Sequence, residues 1–150
     1  MDKDELYEKI KDIMTKERFE YEISERKRKY NNLLDDDAIA LLIVDELGRT
    51  PVNWLKISDL IDGVNASLIV DIESFEDSKI MKNDRELRMR KMKVKDDTGE
   101  CTLVLWNEEI DNYSFLKPGD RIKIINCFTK LNHYGLQISL GKWGHIVKVP

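Results

Sequence analysis

The stretch Met92–Asn107, MKVKDDTGECTLVLWN, predicts two β-strands joined by a tight turn. Asp97-Thr98-Gly99 separates two runs of residues that favour β-structure. We expect Gly99 to supply the positive φ that a short hairpin loop often requires. The stretch therefore indicates an antiparallel hairpin.

The second strand of this hairpin has two faces of different character, because successive residues of a strand point to opposite sides of the sheet. We expect one set of residues to build the core. The other set places a large aromatic side chain on the opposite face. The core set is Cys101, Leu103 and Leu105, and the opposite set is Thr102, Val104 and Trp106.

Composition indicates a soluble protein with a real core, since 41% of the 150 residues are hydrophobic and 36% are charged. No apolar run approaches the roughly 20 residues of a membrane span. The acidic start MDKDELYEKI does not resemble a signal peptide. Cys101 and Cys127 lie in apolar runs without metal-ligand spacing, so we expect reduced thiols, no metal, no cofactor and a cytoplasmic protein.

Charge is distributed unevenly along the chain. The chain carries 25 basic and 29 acidic residues, of which residues 1–50 hold 10 and 14, so residues 51–150 hold 15 of each. Within that neutral part, Lys79–Lys95 contains eight basic residues against Asp84 and Glu86. Such a local excess matters more for binding a polyanion than the net charge of −4 does.

The first 48 residues predict three helices with one buried face each. The third is the clearest, because an aspartate among residues 35–37 can cap its start, Ala38–Leu47 is almost wholly apolar, and Gly48 ends it. We expect this helix at the centre of the helical region, with a second helix at Glu17–Tyr30. The expected inward residues of the first helix are Leu6, Ile10, Ile13 and Met14.

After a predicted linker at 49–56, the periodicity of apolar residues changes from about 3.6 to 2. Five strands are expected, with Ser74–Arg85 as a loop and a short helix after the third strand. In that helical segment, Ile110, Tyr113, Phe115 and Leu116 are expected to close one end of a barrel. This order is that of an OB fold, so the fold class is mainly β, a five-stranded OB-fold barrel at 57–150 after three helices. The strands are expected at 64–72, 87–95, 101–106, 121–130 and 136–140, with an extension at 145–149.

Several motifs resemble the single-stranded-DNA-binding OB domains of archaeal replication protein A. They are VKDDTG at Val94–Gly99, LVLW at Leu103–Trp106, KPGD at Lys117–Asp120 and GLQISLG at Gly135–Gly141. The helical start also resembles that family, whose members often open with three helices that end in Glu-Leu-Gly, as Glu46–Gly48 does. The resemblance implies single-stranded DNA as partner.

Binding of single strands without sequence preference requires aromatic platforms for the bases and cations along the phosphates. Trp106 is the first candidate platform, because strand parity places it opposite the core set and the family has tryptophan there. The alternative is that Trp106 packs under the following helix. Phe128 stands where the family often has an aromatic, yet it shares parity with Ile122 and Ile124. Without a bulge it would therefore point into the core, and both interpretations stay open.

The loop between the fourth and fifth strands offers a second aromatic contact. Tyr134 and its neighbour His133 are candidates for a clamp on another base. The alternative for Tyr134 is an ordinary aromatic at a hairpin tip. Lys130 and Lys142 lie near this loop in the sequence and are candidates to support the clamp.

The cations of the second strand divide between its two faces. Arg88 and Arg90 share parity with Met92, whereas Lys91, Lys93 and Lys95 share the other parity. The sequence does not decide which set faces the groove, and a bulge near Arg90 would let both contribute. The alternative is a charge run that only contacts solvent. The candidate nucleic-acid-binding residues are Trp106, Phe128, Tyr134, His133, Arg88, Arg90, Lys91, Lys93, Lys130, Thr102 and Lys142.

Catalytic motifs are not found in the sequence. It has no glycine-rich phosphate loop and no nucleophile-elbow spacing, and Asp96-Asp97 suits a turn for backbone reasons. The leading hypothesis is therefore a non-enzymatic module that binds single-stranded DNA in replication or repair, with residues 1–48 contacting replication or repair proteins and no membrane contact. The alternatives are an OB domain that binds proteins, or one that binds RNA or tRNA.

Overall fold

A computed structural model of the chain describes residues 2–49, 53–133, 135–141 and 144–150. Contacts divide the chain into two compact units, Met1–Asn53 and Trp54–Pro150. The first unit is helical and the second is built around a seven-stranded sheet.

The helical unit contains α1 (Lys3–Glu8), α2 (Lys16–Lys29) and α3 (Asp36–Glu46). A side-chain oxygen caps the start of each helix, as at α3, where Asp35 accepts a hydrogen bond of 2.8 Å from the Ala38 amide. At its other end, Gly48 has a φ of 78°, which stops the helix. These caps explain where the three helices begin, and Gly48 explains where α3 ends.

The α3 helix supplies the centre of the helical core, as predicted. Phe19 and Ile23 of α2 are also buried. Ile13 is 44% exposed, so its predicted place in the core is wrong. The reason is that α1 ends at Glu8 and the chain continues in turns, so helical spacing no longer applies at Ile13. The buried residues of α3 are Ile39, Ala40, Leu42, Ile43 and Val44.

In its described residues, the second unit contains seven strands, a 3-10 turn at Ile57–Asp59 and one short α-helix. The helix, α4 (Glu108–Asn112), lies between the fourth and fifth strands. The strands are β1 (Trp54–Leu55), β2 (Asn65–Lys82), β3 (Arg85–Asp96), β4 (Gly99–Trp106), β5 (Arg121–Asn132), β6 (Gly135–Ser139) and β7 (His145–Lys148).

Five of these strands close a ring. Strand β2 pairs with β3, β3 with β4, β4 with β6, β6 with β5, and β5 again with β2. All of these pairs are antiparallel except β4 with β6, which is parallel. The remaining strands add to the ring, β1 on β2 and β7 on β5. The predicted OB-fold class is confirmed.

The barrel core follows the predicted parity, since Cys101, Leu103 and Leu105 are all buried. Of the segment expected to close one end, Ile110, Tyr113 and Leu116 are buried. The Tyr113 hydroxyl accepts a hydrogen bond of 3.3 Å from the Ile146 amide, which ties this segment to β7. Phe115 is 40% exposed, so its predicted place in the core is wrong. It follows the end of α4 and lies in a turn, so helical spacing no longer directs its side chain to the core.

The predicted loop Ser74–Arg85 is wrong, because β2 continues to Lys82 and pairs with β3 from Asp71 to Lys82. Asn83 and Asp84, with φ of 52° and 61°, form the two-residue turn, which matches the twist of a hairpin. Apolar alternation is absent here because Ile80 and Met81 are adjacent and both exposed. A ribbon exposed on both faces shows no period that would identify its strands.

The tight turn of the β3–β4 hairpin is confirmed, but the predicted role of Gly99 is wrong. Asp96 pairs with Gly99, so the loop consists of Asp97 and Thr98, and Gly99 lies outside the left-handed region. Asp96 makes this possible, because its Oδ1 accepts hydrogen bonds from the Thr98 amide, at 2.7 Å, and from the Thr98 hydroxyl. The side chain thus shapes the turn in place of a glycine.

In the described part of the chain, no helix combines the length and the apolar character that crossing a membrane requires.

Candidate nucleic-acid interface

The surface of the barrel that carries Trp106 is called the outer face. Strand register assigns its members, because residues paired across neighbouring strands point to the same side of the sheet. One row runs across four strands as Lys91, Val104, Ser139 and Phe128. The next row runs as Lys93, Thr102, Gln137 and Lys130. The structure therefore brings six of the predicted residues, Trp106, Phe128, Lys91, Lys93, Lys130 and Thr102, onto one face.

Trp106 ends β4 with its side chain on the outer face, 37% exposed. Its backbone amide donates a hydrogen bond of 2.9 Å to Glu109 Oε1, and Asn107 follows with a φ of 49°. This change of backbone direction starts α4 and leaves the indole at the edge of the sheet. The exposure of the ring favours the platform interpretation over packing under the helix.

Phe128 also lies on the outer face, 41% exposed, because β5 contains a bulge. Ala66 pairs with Cys127 but Leu68 pairs with Ile124, so β5 has one residue more than β2 in this interval. Asn126 has a φ of 58°, and its amide donates a hydrogen bond of 3.0 Å to Ser67 Oγ. A bulge reverses the parity of the residues after it. The question that the sequence left open for Phe128 is answered by this bulge.

The two exposed aromatic side chains lie apart from each other on the outer face. Trp106 follows Val104 by two residues on β4, and Phe128 lies two strands away from Val104 in the same row. Strand spacings of about 4.8 Å and rises of about 3.3 Å per residue place their Cα atoms roughly 12 Å apart. Val104, 4% exposed, forms an apolar floor between them.

The lysines of the outer face fall into two groups. Within the described residues, the Lys91 and Lys130 side chains form no hydrogen bond or ion pair. Lys93 Nζ lies 3.4 Å from Glu100 Oε2 and 4.0 Å from Glu73 Oε2, and Lys95 Nζ lies 3.2 Å from Glu73 Oε1. Each free lysine lies near an aromatic. Lys91 pairs with Val104, which precedes Trp106 by two residues on β4. Lys130 follows Phe128 by two residues on β5.

Arg88 and Arg90 lie on the opposite side of β3 from Trp106. The β3–β4 register runs without interruption from Met89 to Asp96, so no bulge near Arg90 joins the two sets. Arg90 makes two hydrogen bonds to Asp77, of 2.7 and 3.0 Å, and its guanidinium lies 4.8 Å from the centre of the Phe75 ring. Arg88 makes two to Asp111, of 3.1 and 2.7 Å. The structure does not bring these arginines together with the aromatic platforms.

These ion pairs also change the pKa values of the carboxyl groups. The hydrogen bonds from Arg90 hold the pKa of Asp77 below its ordinary value, and those from Arg88 do the same for Asp111. The lowered pKa values show that an existing partner stabilises the charged form of both carboxylates. Phosphate would have to displace a bidentate carboxylate to reach either guanidinium.

The loop between β5 and β6 is described only in part. His133 is exposed at its turn. Tyr134 and Lys142 lie outside the described residues, so their predicted contacts with a base and a phosphate stay predictions. Two residues that the sequence did not single out, Gln137 and Ser139 on β6, complete the outer face. Their position depends on the parallel pairing of β6 with β4, which local sequence does not reveal.

The two cysteine thiols are buried in the barrel unit. Burial raises the pKa of Cys101 to about 12 and that of Cys127 to about 11, and neither forms a disulfide. Among the described residues, no group of three or more His, Cys, Asp and Glu side chains could hold a metal ion. The exposed aromatic and cationic residues of the outer face are therefore the features that need a functional explanation.

Comparison with known proteins gives a sequence relative. No protein-family model matches the chain. Replication factor A of Methanothermobacter thermautotrophicus is 28% identical over 131 residues, which cover 79% of this chain. The match spans only 16% of the length of that relative.

Solved structures share the fold of the second unit. The second OB-fold domain of replication protein A from Methanococcus maripaludis has a TM-score of 0.53 and 24% identity, covering 65% of this chain and 95% of that domain. A replication protein A heterotrimer bound to single-stranded DNA has a TM-score of 0.57 and 14% identity, covering 69% of this chain and 27% of that one. The sequence relative and the shared OB fold together confirm the predicted resemblance to the archaeal replication protein A family.

Proposed function

We propose that this chain binds single-stranded DNA on the outer face of its OB barrel, without sequence preference, as a non-enzymatic module of replication or repair. The observation that carries the proposal is that Trp106 and Phe128 are both exposed on one face. Lys91 and Lys130, which have no partner among the described residues, lie beside them. The heterotrimer of similar fold, which its name describes as bound to single-stranded DNA, supports the choice of ligand.

The mechanism follows from the chemistry of the face. Each base stacked on an aromatic ring contributes about 1–3 kcal/mol, and stacking accepts any base because every base has a π-face. The lysines attract phosphates, and each contact with a single strand adds about 0.7 to the salt dependence of binding. Ser139 adds a polar side chain beside Phe128, and Thr102 and Gln137 add two more in the row that ends at Lys130. The face thus binds the general features of a single strand.

Fluorescence anisotropy of a labelled oligothymidine at low salt tests this proposal. Trp106→Ala is expected to weaken binding by roughly 5- to 150-fold, which corresponds to the loss of one stack of about 1–3 kcal/mol. Phe115→Ala is the matched control, because Phe115 is similarly exposed but follows α4, away from the outer face. Equal affinity of the wild type and Trp106→Ala, or no binding by the wild type, would contradict the proposal.

Competition separates DNA from the RNA hypothesis. An unlabelled oligouridine of the same length is expected to displace the labelled oligothymidine more weakly than unlabelled oligothymidine does. Stronger displacement by the RNA would instead assign the outer face to RNA binding, which also uses aromatic stacking on unpaired bases.

We further propose that residues 1–48 serve partner binding or assembly. The support is that large apolar side chains of the helical unit are exposed, among them Ile13, Tyr21 and Leu47. Sedimentation velocity at rising concentration checks assembly, with self-association expected for the wild type and reduced for an Ile13→Ser, Tyr21→Ser variant. Identical sedimentation of the two proteins, both monomeric, would leave assembly without support.

A further inference from the structure

Lys93 and Lys95 lie on the outer face, yet carboxylates already occupy their ammonium groups. Three strands contribute to this cluster: Glu73 from β2, the lysines from β3 and Glu100 from β4. Glu73 bridges both lysines, at 4.0 Å from Lys93 and 3.2 Å from Lys95, and Glu100 lies 3.4 Å from Lys93. The cluster therefore differs from Lys91 and Lys130, which have no such partner among the described residues.

The backbone explains why Glu73 reaches both lysines. The β2–β3 register shifts between Ile72 and Ser74, so Glu73 is the additional residue of a bulge. Its side chain is 29% exposed, less than those of the two lysines, which are about half exposed. Glu100 pairs directly across from Lys95 and diagonally from Lys93, within reach of a long side chain. The arrangement is built into the sheet and does not depend on a flexible loop.

We propose that Glu73 and Glu100 compete with DNA phosphates for Lys93 and Lys95, and so limit the affinity of the outer face and the number of phosphates it contacts. The inference rests on the proposed function. It makes Lys93 and Lys95 latent phosphate contacts and places the bound strand over the Trp106–Lys91 and Phe128–Lys130 pairs. The end of the face near the β3–β4 turn then stays free of DNA.

Charge removal at the two glutamates tests this inference. Glu73→Gln with Glu100→Gln keeps side-chain size but frees the lysines, so up to two further phosphates can be bound. The slope of log affinity against log salt is expected to steepen by about 1.4, that is about 0.7 for each new contact. The variant then loses about sevenfold more affinity than the wild type between about 50 and about 200 mM salt, and binds tighter at the lower salt.

Two controls separate this effect from a general gain in positive charge. Glu108→Gln removes one carboxylate that has no ion pair among the described residues and lies two residues from Trp106. It is expected to leave the salt slope unchanged. In a Lys93→Ala, Lys95→Ala background, the glutamine substitutions are expected to give no increase in slope, because the lysines that they release are absent.

The outcomes distinguish the two proposals. A steeper slope that depends on Lys93 and Lys95 supports the inference. If the wild type binds oligothymidine but the glutamine variant shows no steeper slope than Glu108→Gln, the inference is overturned and the proposed function stands. If neither the wild type nor the glutamine variant binds at low salt, the proposed function is wrong and the inference falls with it. Circular dichroism of each variant confirms that the fold is retained.

Discussion

The two faces of β3 carry similar numbers of positive charges but differ in what those charges contact. On the side of β3 opposite Trp106, called the inner side, Arg88 and Arg90 each make two hydrogen bonds to one aspartate. On the outer side, Lys93 and Lys95 form ion pairs with glutamates, whereas Lys91 has no such contact among the described residues. The eight basic residues of Lys79–Lys95 are therefore not one binding surface. The face proposed to bind DNA therefore differs from the opposite side in having a lysine without a carboxylate partner in the described part of the chain, and not in its number of positive charges.

The residue types match this division. A guanidinium presents planar donors that fit a carboxylate with two parallel hydrogen bonds, whereas an ammonium is a compact charge on a flexible chain. Arg90 also lies over the Phe75 ring. Arginine thus suits the fixed contacts of the inner side, and lysine suits a surface that exchanges solvent for phosphate.

Removal of one aromatic side chain from the outer face is expected to have the largest effect on DNA affinity. Phe128→Ala should weaken oligothymidine binding by about 1–3 kcal/mol, or roughly 5- to 150-fold, because one stacked base is lost. Anisotropy titration measures this change. Thermal unfolding provides the control, since an exposed ring contributes little to the core. Unchanged affinity would show that the β5 bulge does not create a second platform.

Loss of the free lysines is expected to have the next largest effect. Lys91→Ala with Lys130→Ala should lower the salt slope of binding by about 1.4, because two phosphate contacts disappear. Arg88→Ala with Arg90→Ala removes the same number of charges and serves as the matched variant. Its slope should equal that of the wild type. Equal reductions in both variants would remove the distinction between the two faces.

The free energy of unfolding should depend on Arg90 more than on Lys91, which is the reverse of the effect expected on DNA binding. Arg90→Ala is expected to lower the free energy of unfolding by about 1 kcal/mol, since it removes a half-exposed ion pair and a cation–π contact. Lys91→Ala should change it by less than about 0.5 kcal/mol, as surface substitutions generally do. Urea unfolding measures both values. A greater loss in Lys91→Ala would assign a structural role to the outer lysine.

The smallest expected effect is a pH dependence of the inner ion pair. Arg90 holds the pKa of Asp77 below its ordinary value of 3.8. The stabilisation is thus complete above that ordinary value and is lost as pH falls through the lower pKa of the folded state. The difference in stability between the wild type and Arg90→Ala should therefore be constant near neutral pH and shrink below about pH 4. A difference that is independent of pH down to about 2 would contradict this assignment.

The fold could be predicted where burial imposes a period on the sequence. Cys101, Leu103 and Leu105 alternate because one side of β4 faces the core, and Asp35 and Gly48 mark the ends of α3 through local backbone chemistry. The extension of β2 from Ser74 to Lys82 was missed because both faces of the sheet are exposed there, so Ile80 and Met81 follow no period. The turn at Asp97 was expected to need glycine, whereas an aspartate side chain shapes it.

The candidate site could be predicted only in part, because its geometry depends on distant pairing. Parity alone identified the face of Trp106. The face of Phe128 depends on the bulge at Asn126, whose amide is bonded to Ser67, 59 residues earlier in the chain. Likewise, the partners that occupy Arg88 and Arg90 lie 23 and 13 residues away. No local pattern shows which cations are already paired.

Photochemical cross-linking tests most directly whether the outer face is the one that contacts bases. An oligothymidine that carries 5-iodouracil, bound at low salt and irradiated, should attach to aromatic rings on which its bases stack, and mass spectrometry locates the attached residues. The account predicts cross-links at Trp106 and Phe128. Cross-links confined to Phe75 or Phe115, outside the outer face, with none at Trp106 or Phe128, would contradict it.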